Sequence, residues 1–125
     1  MQLLLDTQIY LWWLQDNPRL PFAARRQIMA AAYVYVSSAS IWEAAIKVAI
    51  GKLEVDMDQL VAEIRNSGFI ELSISAKHAA MVARLPHHHR DPFDRLLVAQ
   101  ALCDTMRLLT ADRTLAVYSS TIALI

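Results

Sequence analysis

The sequence predicts an α/β fold, a three-layer α/β/α sandwich built around a short central parallel sheet. Short apolar runs that suit buried strands alternate with longer stretches in which apolar residues recur at helical spacing. Acidic residues follow several of the runs, where the carboxyl ends of parallel strands would meet. The 125 residues, 56% of them hydrophobic, suffice for one core, so we expect a single domain spanning residues 1–125.

Five segments have the composition of strands. The first, Leu3-Leu4-Leu5, is apolar at every position, which is typical of a central strand buried on both faces of a sheet. The second combines aromatic and β-branched residues. Strands that are joined through helices pair in parallel, so we expect a parallel sheet. The predicted strands are residues 3–5, 33–37, 69–74 and 107–110, with an edge strand at 121–125.

Helices are predicted between these strands from apolar periodicity and from residues that start or stop a helix. Asn17-Pro18 ends the first helix, and Gly51 ends the third. Asp91 and Pro92 suit the N-cap and the first position of the helix that precedes the strand at 107–110. The predicted helices are one around residues 9–13, then 21–32, 40–51, 58–66 and 75–85, one that begins at residue 91, and a short turn or helix from residue 112.

Composition and charge exclude several classes of protein. Twelve basic and twelve acidic residues cancel, so no basic tail marks a nucleic-acid-binding protein, although a bound metal can supply positive charge. No apolar run approaches the roughly 18–20 residues that span a bilayer, and the N-terminus lacks the basic segment of a secretory leader. The single cysteine, Cys103, rules out an internal disulfide and suits a reducing cytoplasm, where we expect the protein.

Three acids fall at the carboxyl edge of the predicted sheet. Asp6 and Asp112 each follow a strand, and Glu43 lies within the first turn of the helix after the second strand. Ligands of open parallel sheets bind at this edge, so these carboxylates can face one crevice. Asp94 opens the helix before the strand at 107–110, which puts it at the opposite edge unless that helix lies across the mouth of the crevice.

The same acids also have purely structural interpretations. Glu43 can complete a capping box with Ser40, or it can pair with Lys47 at i, i+4 spacing. A non-catalytic partner-binding module, in which the acids only cap helices, is therefore the alternative function. Four further acids occupy positions that suit a helix cap or the positive end of a helix dipole: Asp6, Asp91, Asp94 and Asp112.

The acids at the sheet edge predict a metal site. Several carboxylates gathered in one place repel one another unless a cation lies between them. Oxygen ligands suit Mg²⁺ or Mn²⁺, which polarise a phosphate and activate water, so phosphodiester hydrolysis is the predicted chemistry. The adjacent residues His87, His88 and His89 cannot easily converge on one ion, and we expect a solvated loop there that can contact phosphate.

Four motifs in the chain resemble those of one known family. They are LLLDTQIYLWWL, SSASIWEAAIKVAIGKL, HRDPFDRLLVAQA and LLTADRTLAVY, and together they extend over nearly the whole chain. The sequence resembles PIN-domain proteins, and most of all the VapC-type toxins of bacterial type II toxin–antitoxin pairs. Four motifs in the right order are far more specific than any one of them.

The resemblance implies roles for particular residues. The third acid of the family directly precedes an apolar helix with alanines, so it corresponds to Asp94, and Asp91 is an auxiliary acid. The family's helix brings this third acid to the shared site. Thr7, Ser38 and Thr110 resemble the small hydroxyl residues that accompany the acids. The catalytic and metal-binding residues implied in this way are Asp6, Glu43, Asp94 and Asp112.

The function that the resemblance implies is a Mg²⁺- or Mn²⁺-dependent endoribonuclease that acts on RNA, forms a homodimer and is inhibited by a cognate antitoxin protein. The apolar surplus of the chain also favours a partner, because a small core does not readily hide it. Two helix patterns carry this surplus, and a groove between them would lead towards Asp6 and Glu43. Its candidate residues are Trp12, Trp13 and Trp42.

Overall fold

The computed structural model describes residues 1–87, 90–119 and 122–125, which fold around a five-stranded parallel sheet. The strands are β1 (Gln2–Leu5), β2 (Tyr33–Ser37), β3 (Ile70–Leu72), β4 (Arg107–Thr110) and β5 (Ile122–Leu124). They lie in the order β3-β2-β1-β4-β5, and each neighbouring pair is parallel. The order of the strands reverses between β1 and β4, so the topological switch point lies there.

Helices cover both faces of the sheet, which confirms the predicted three layers. They are α1 (Thr7–Leu14), α2 (Phe22–Ala30), α3 (Ser38–Ala49), α4 (Met57–Asn66), α5 (Ala76–Met81) and α6 (Pro92–Cys103), with 3₁₀ helices at Val82–Arg84 and Arg113–Tyr118. One core cluster joins α1, α2 and α4 to the sheet, and a second joins α6 and both 3₁₀ helices. Within the described ranges no helix has the length and apolarity that a membrane crossing needs.

Strand β1 is the centre of both clusters, as its sequence predicts. Successive side chains of a strand point to opposite faces of the sheet. Leu3 and Leu5 therefore pack in the cluster under α1, α2 and α4, whereas Leu4 packs in the cluster under α6. None of the three leucines has any exposed surface.

Helix α3 begins earlier than predicted, and this changes the role of two residues. Its N-cap is Ser37, the last residue of β2, whose hydroxyl oxygen accepts the backbone N–H of Ala39 at 3.0 Å. The strand runs into the helix without a loop, so the predicted start at Ser40 and its capping box with Glu43 are wrong. Both residues are instead buried, Ser40 in the first turn of the helix and Glu43 in the second.

Two other predicted segments are shorter than their apolar patterns suggest. Strand β3 covers Ile70–Leu72 rather than residues 69–74, because Phe69 leaves the sheet and packs against the ring of Trp13 at 5.4 Å. The predicted helix at 75–85 divides into α5 and a 3₁₀ helix. Strand β5 agrees with the predicted edge strand from residue 122 onwards, while Thr121, like His88 and His89, lies outside the described residues.

Arg95 is a buried cation of α6 that binds the segment leading to this helix. Its side chain is inaccessible over most of its surface. Nη1 donates to the carbonyl oxygen of Pro86 at 2.9 Å and to the Tyr118 hydroxyl at 3.2 Å. Nη2 donates to the carbonyl oxygens of Val82 at 3.1 Å and Leu85 at 3.4 Å. These bonds fix the chain just before α6 against the body of that helix.

Replacing Arg95 with Met should lower the free energy of unfolding by about 2–4 kcal/mol, because several partly buried carbonyl groups lose a charged donor. Urea denaturation followed by circular dichroism measures the change. Arg84→Met, at an exposed position of the same segment, is the matched control and should change the free energy by less than about 0.5 kcal/mol. Equal losses in the two variants would show that the Arg95 contacts do not stabilise the fold.

Candidate active site

The carboxyl edge of the sheet opens into a pocket of about 360 Å³ at the switch point. Its walls come from the residues that follow β1 and β4, from α3 and from the start of α6. This is the place where open parallel sheets bind their ligands. The residues that line it are Asp6, Thr7, Gln8, Leu11, Glu43, Lys47, Asp91, Asp94, Ala111 and Asp112.

Asp6 is the most buried acid of the pocket, with 6% of its surface exposed. It is the N-cap of α1, and its Oδ1 accepts the backbone N–H of Ile9 at 2.8 Å. Its Oδ2 accepts a short hydrogen bond from the hydroxyl of Thr110 at the end of β4. Both carboxylate oxygens are therefore held by donors of the fold.

Burial raises the pKa of Asp6 from 3.8 to about 6, because a charge is poorly solvated in this position. The hydrogen bonds from Thr110 and Ile9 act in the opposite direction, since they stabilise the ionised form. The negative charges of Asp94 and Glu43 raise the pKa further. The pocket thus holds carboxylates close enough to affect one another.

Glu43 lies on α3 with only 8% of its surface exposed, and both of its carboxylate oxygens have partners. Oε1 accepts the hydroxyl of Thr7 at 2.7 Å, and the hydroxyl of Ser40 lies 2.9 Å from the same Thr7 oxygen. Oε2 lies 3.1 Å from Nζ of Lys47, which confirms the predicted i, i+4 ion pair.

The start of α6 carries two acids to the pocket. Asp91 is the N-cap, and its Oδ1 accepts the backbone N–H groups of Phe93 at 2.9 Å and Asp94 at 3.1 Å. Pro92 occupies the first helical position, as predicted. Asp94 lines the pocket together with Asp6, although α6 packs along the face of the sheet; because α6 runs antiparallel to β4, its first turn lies at the carboxyl edge. Phe93, which precedes Asp94 in the chain, packs its ring edge-on against Trp42 of α3, with ring centroids 4.9 Å apart.

Asp112 completes the pocket on the side of β4. Its Oδ1 accepts the backbone N–H of Thr114 at 2.9 Å and the hydroxyl of the same residue at 2.7 Å. Its own backbone N–H donates to the Thr110 hydroxyl at 3.0 Å. Since that hydroxyl in turn donates to Asp6, Thr110 links the first and the last acid of the chain.

Other predicted residues have different positions. Thr7 and Thr110 contact acids of the pocket, but Ser38 is the first residue of α3 and does not line it. Trp13 is partly buried, where its indole N–H donates to Ser67 at 3.3 Å. Trp12 packs against the same core cluster. Trp42 is 57% exposed beside the start of α6.

Lys47 is a pocket residue that sequence reasoning treated only as the partner of Glu43. The signal was present, because a residue four positions after an inward-facing acid lies on the same face of the helix. Gln8 and Leu11 line the pocket as well, and no feature of the sequence distinguishes them.

A sequence model of the PIN domain matches residues 3–120 of the chain. The protein belongs to the PIN domain family. Over 119 residues it is 34% identical to Ribonuclease VapC22 of Mycobacterium tuberculosis (strain ATCC 25618 / H37Rv), a match that covers 90% of this chain and 88% of that protein.

Solved structures share this PIN fold. VapBC2 of Rickettsia felis, bound to a promoter DNA fragment, matches with a TM-score of 0.72 and 15% identity over 100% of this chain and 98% of that chain. A toxin–antitoxin complex of Klebsiella pneumoniae matches with a TM-score of 0.66 and 17% identity over 96% and 94%. FitAcB of Neisseria gonorrhoeae matches with a TM-score of 0.66 and 17% identity over 98% of this chain and 96% of that chain.

The donor set of this PIN domain fits a hard divalent cation, because its side chains offer carboxylate and hydroxyl oxygens in one pocket. Their present orientation does not yet form a coordination shell. Among residues 1–87, 90–119 and 122–125, no three His, Cys, Asp or Glu side chains stand ready to hold one ion together. The carboxylate oxygens of Asp6 instead accept hydrogen bonds from Ile9 and Thr110. Those of Glu43 bind the Thr7 hydroxyl and the Lys47 ammonium group.

Because the pKa of Asp6 is raised, the stability of the metal-free protein should depend on pH. The folded chain holds the Asp6 proton more tightly than the unfolded chain, so the stabilisation is full below about pH 4 and is lost as the pH rises through 6. Wild type should therefore lose about 3 kcal/mol relative to Asp6→Asn between about pH 4 and pH 7. Urea denaturation in EDTA across this range measures the difference.

Asp56→Asn is the matched control, since Asp56 also caps a helix but is exposed and lies outside the pocket. Its difference from wild type should not change in this way. A difference between wild type and Asp6→Asn that stays constant with pH contradicts the raised pKa.

Proposed function

We propose that this PIN-domain protein is an endoribonuclease, the toxin of a type II toxin–antitoxin pair, which hydrolyses RNA phosphodiester bonds with Mg²⁺ or Mn²⁺. One nuclease domain spans residues 1–125. The observation that carries the proposal is the convergence of acids from four separate parts of the chain on one pocket. The 34% identity to a ribonuclease supports the same chemistry. The proposed catalytic and metal-binding residues are Asp6, Glu43, Asp94 and Asp112.

In this proposal the four carboxylates hold the divalent ion, which supplies a polarised phosphate and an activated water when bound. The hydroxyl groups of Thr7 and Thr110 orient Glu43 and Asp6 through the hydrogen bonds described above. Asp91 holds the first turn of α6 and thereby positions Asp94. In the metal-free site a proton on Asp6 competes with the divalent ion, so metal binding should weaken as the pH falls below about 6.

The alternative, a non-catalytic module whose acids only cap helices, has a specific observation in its favour. Asp6, Asp91 and Asp112 each accept a backbone N–H group at the start of a helix. Capping alone does not account for Glu43, which is buried in the second turn of α3 and points into the pocket. A capping role also gives no reason for the acids to share one pocket, where their negative charges repel one another.

We further propose a homodimer and a cognate antitoxin as partners, acting in the cytoplasm, where the thiol of Cys103 stays reduced. The exposed side chains of Trp42, Ile46 and Ile50 form an apolar surface on α3 beside the pocket. An amphipathic antitoxin segment would cover such a surface. The structural similarity to toxin–antitoxin complexes supports this partner.

Cleavage of RNA should require Mg²⁺ or Mn²⁺ and should stop in EDTA. Each of four substitutions should reduce the rate about 100-fold or more, because each removes a charged ligand. They are Asp6→Asn, Glu43→Gln, Asp94→Asn and Asp112→Asn. Asp91→Asn should reduce it less than about tenfold, because an amide oxygen still caps a helix. Gel assays on structured RNA measure these rates.

Two results would contradict this prediction. Undiminished cleavage in EDTA would exclude the metal mechanism. A full loss from Asp91→Asn with no loss from Asp94→Asn would show that Asp91 is the third acid.

The isolated chain should scatter light as a dimer and should co-purify with the product of an adjacent small reading frame. Trp42→Ala should weaken antitoxin binding about tenfold or more, because a tryptophan that a partner covers on binding is a frequent hot spot of interfaces. Met29→Ala, which removes an exposed apolar side chain of α2, is the control. A monomer that binds no such partner would leave only the nuclease part of the proposal.

A further inference from the structure

Lys47 is the one cation among the described residues that line the pocket, and it faces five carboxylates there. Its Nζ lies 3.1 Å from Oε2 of Glu43. The two partners differ in exposure, since 45% of the Lys47 side chain is accessible but only 11% of the Glu43 side chain is. The ammonium group therefore binds a buried acid, although much of the flexible Lys47 side chain that carries it is exposed to solvent.

An ordinary i, i+4 ion pair stabilises a helix from its exposed face and contributes little. This pair differs in position, because Glu43 is buried and its other oxygen already accepts the Thr7 hydroxyl at 2.7 Å. With Thr7 on Oε1 and Lys47 on Oε2, the carboxylate has no oxygen left without a strong donor. Each oxygen can still accept a second partner, but a divalent ion that approaches Oε2 meets the positive charge of Lys47 and competes with it for the same carboxylate.

Of the two donors, Lys47 is the easier to displace. The Thr7 hydroxyl is buried and fixed at the start of α1, whereas Lys47 can rotate away into solvent at the pocket wall. A divalent ion also repels the ammonium charge at this distance. Lys47 would then be a free cation at the edge of a pocket to which an RNA phosphate must bind.

We propose that Lys47 acts by ion exchange: it pairs with Glu43 before the divalent ion binds, and it then moves to a phosphate oxygen of the RNA backbone. The inference rests on the proposed nuclease function and adds a residue that contacts the substrate. It also explains how a pocket with five acids attracts a polyanion, since the displaced ammonium becomes available only when the acids are neutralised.

Ion exchange predicts effects of opposite sign on two affinities. Without Lys47 the divalent ion no longer competes with an ammonium group for Glu43, so Mn²⁺ should bind more tightly. The RNA loses a phosphate contact, so it should bind more weakly. A lysine that only stabilised α3 would change neither affinity in this pattern.

The experiment compares Lys47→Met with wild type. Calorimetric titration with Mn²⁺ alone should give a dissociation constant about two- to fivefold lower in the variant. Fluorescence anisotropy of a short single-stranded RNA in Ca²⁺, with the strand checked to be intact, should give a dissociation constant about two- to fivefold higher. The salt dependence of RNA binding should fall by about 0.7 in its log–log slope, the loss of one phosphate contact.

Two further variants serve as controls. Lys52→Met removes an exposed lysine beyond the end of α3. It should not tighten Mn²⁺ binding while weakening RNA binding. Lys47→Arg keeps the positive charge and should retain RNA binding. Thermal melts of each variant check that the fold is intact.

Unchanged affinities in Lys47→Met, or a loss of both, overturn the ion exchange while the nuclease proposal stands, provided that the wild type binds Mn²⁺ and cleaves RNA. A wild type that binds neither Mn²⁺ nor RNA overturns the proposed function itself.

Discussion

The carboxylate of Asp6 joins the central strand, the first helix and the fourth strand. One oxygen caps α1 through Ile9, and the other accepts the hydroxyl proton of Thr110 at the end of β4. The backbone N–H of Asp6 donates to Leu109, which continues the pairing of β1 with β4. Asp112 is attached to the same Thr110 hydroxyl, so one chain of hydrogen bonds holds both sides of the pocket.

The fold offsets part of the repulsion that gathering these acids creates. Asp6, Asp91 and Asp112 lie where backbone N–H groups at the start of a helix point outwards, and each accepts at least one of them. Glu43 lies in the second turn of its helix and has Thr7 and Lys47 instead. Each of these four carboxylates therefore has a donor within the fold that offsets part of its negative charge.

The alternation of apolar runs and helical patterns was enough to predict the parallel sheet, because strands that are joined through helices pair in parallel. The helix starts at Asp91 and Asp112 followed from local chemistry in the same way. The start of α3 did not, since Ser37, Ser38 and Ser40 can each cap a helix and only the end of β2 decides between them. The position of Asp94 follows from topology instead, because a helix that returns the chain to a parallel strand begins at the carboxyl edge of the sheet, as α6 does.

The hydrogen bond between Thr110 and Asp6 spans 104 positions of the sequence. Contacts of such long range form late, because the chain entropy of closing the loop must first be overcome. Asp6, which directly follows β1, leaves the exit tunnel of the ribosome long before β4 does. The pocket therefore cannot assemble on the nascent polypeptide until Thr110 and Asp112 have been made and have left the exit tunnel.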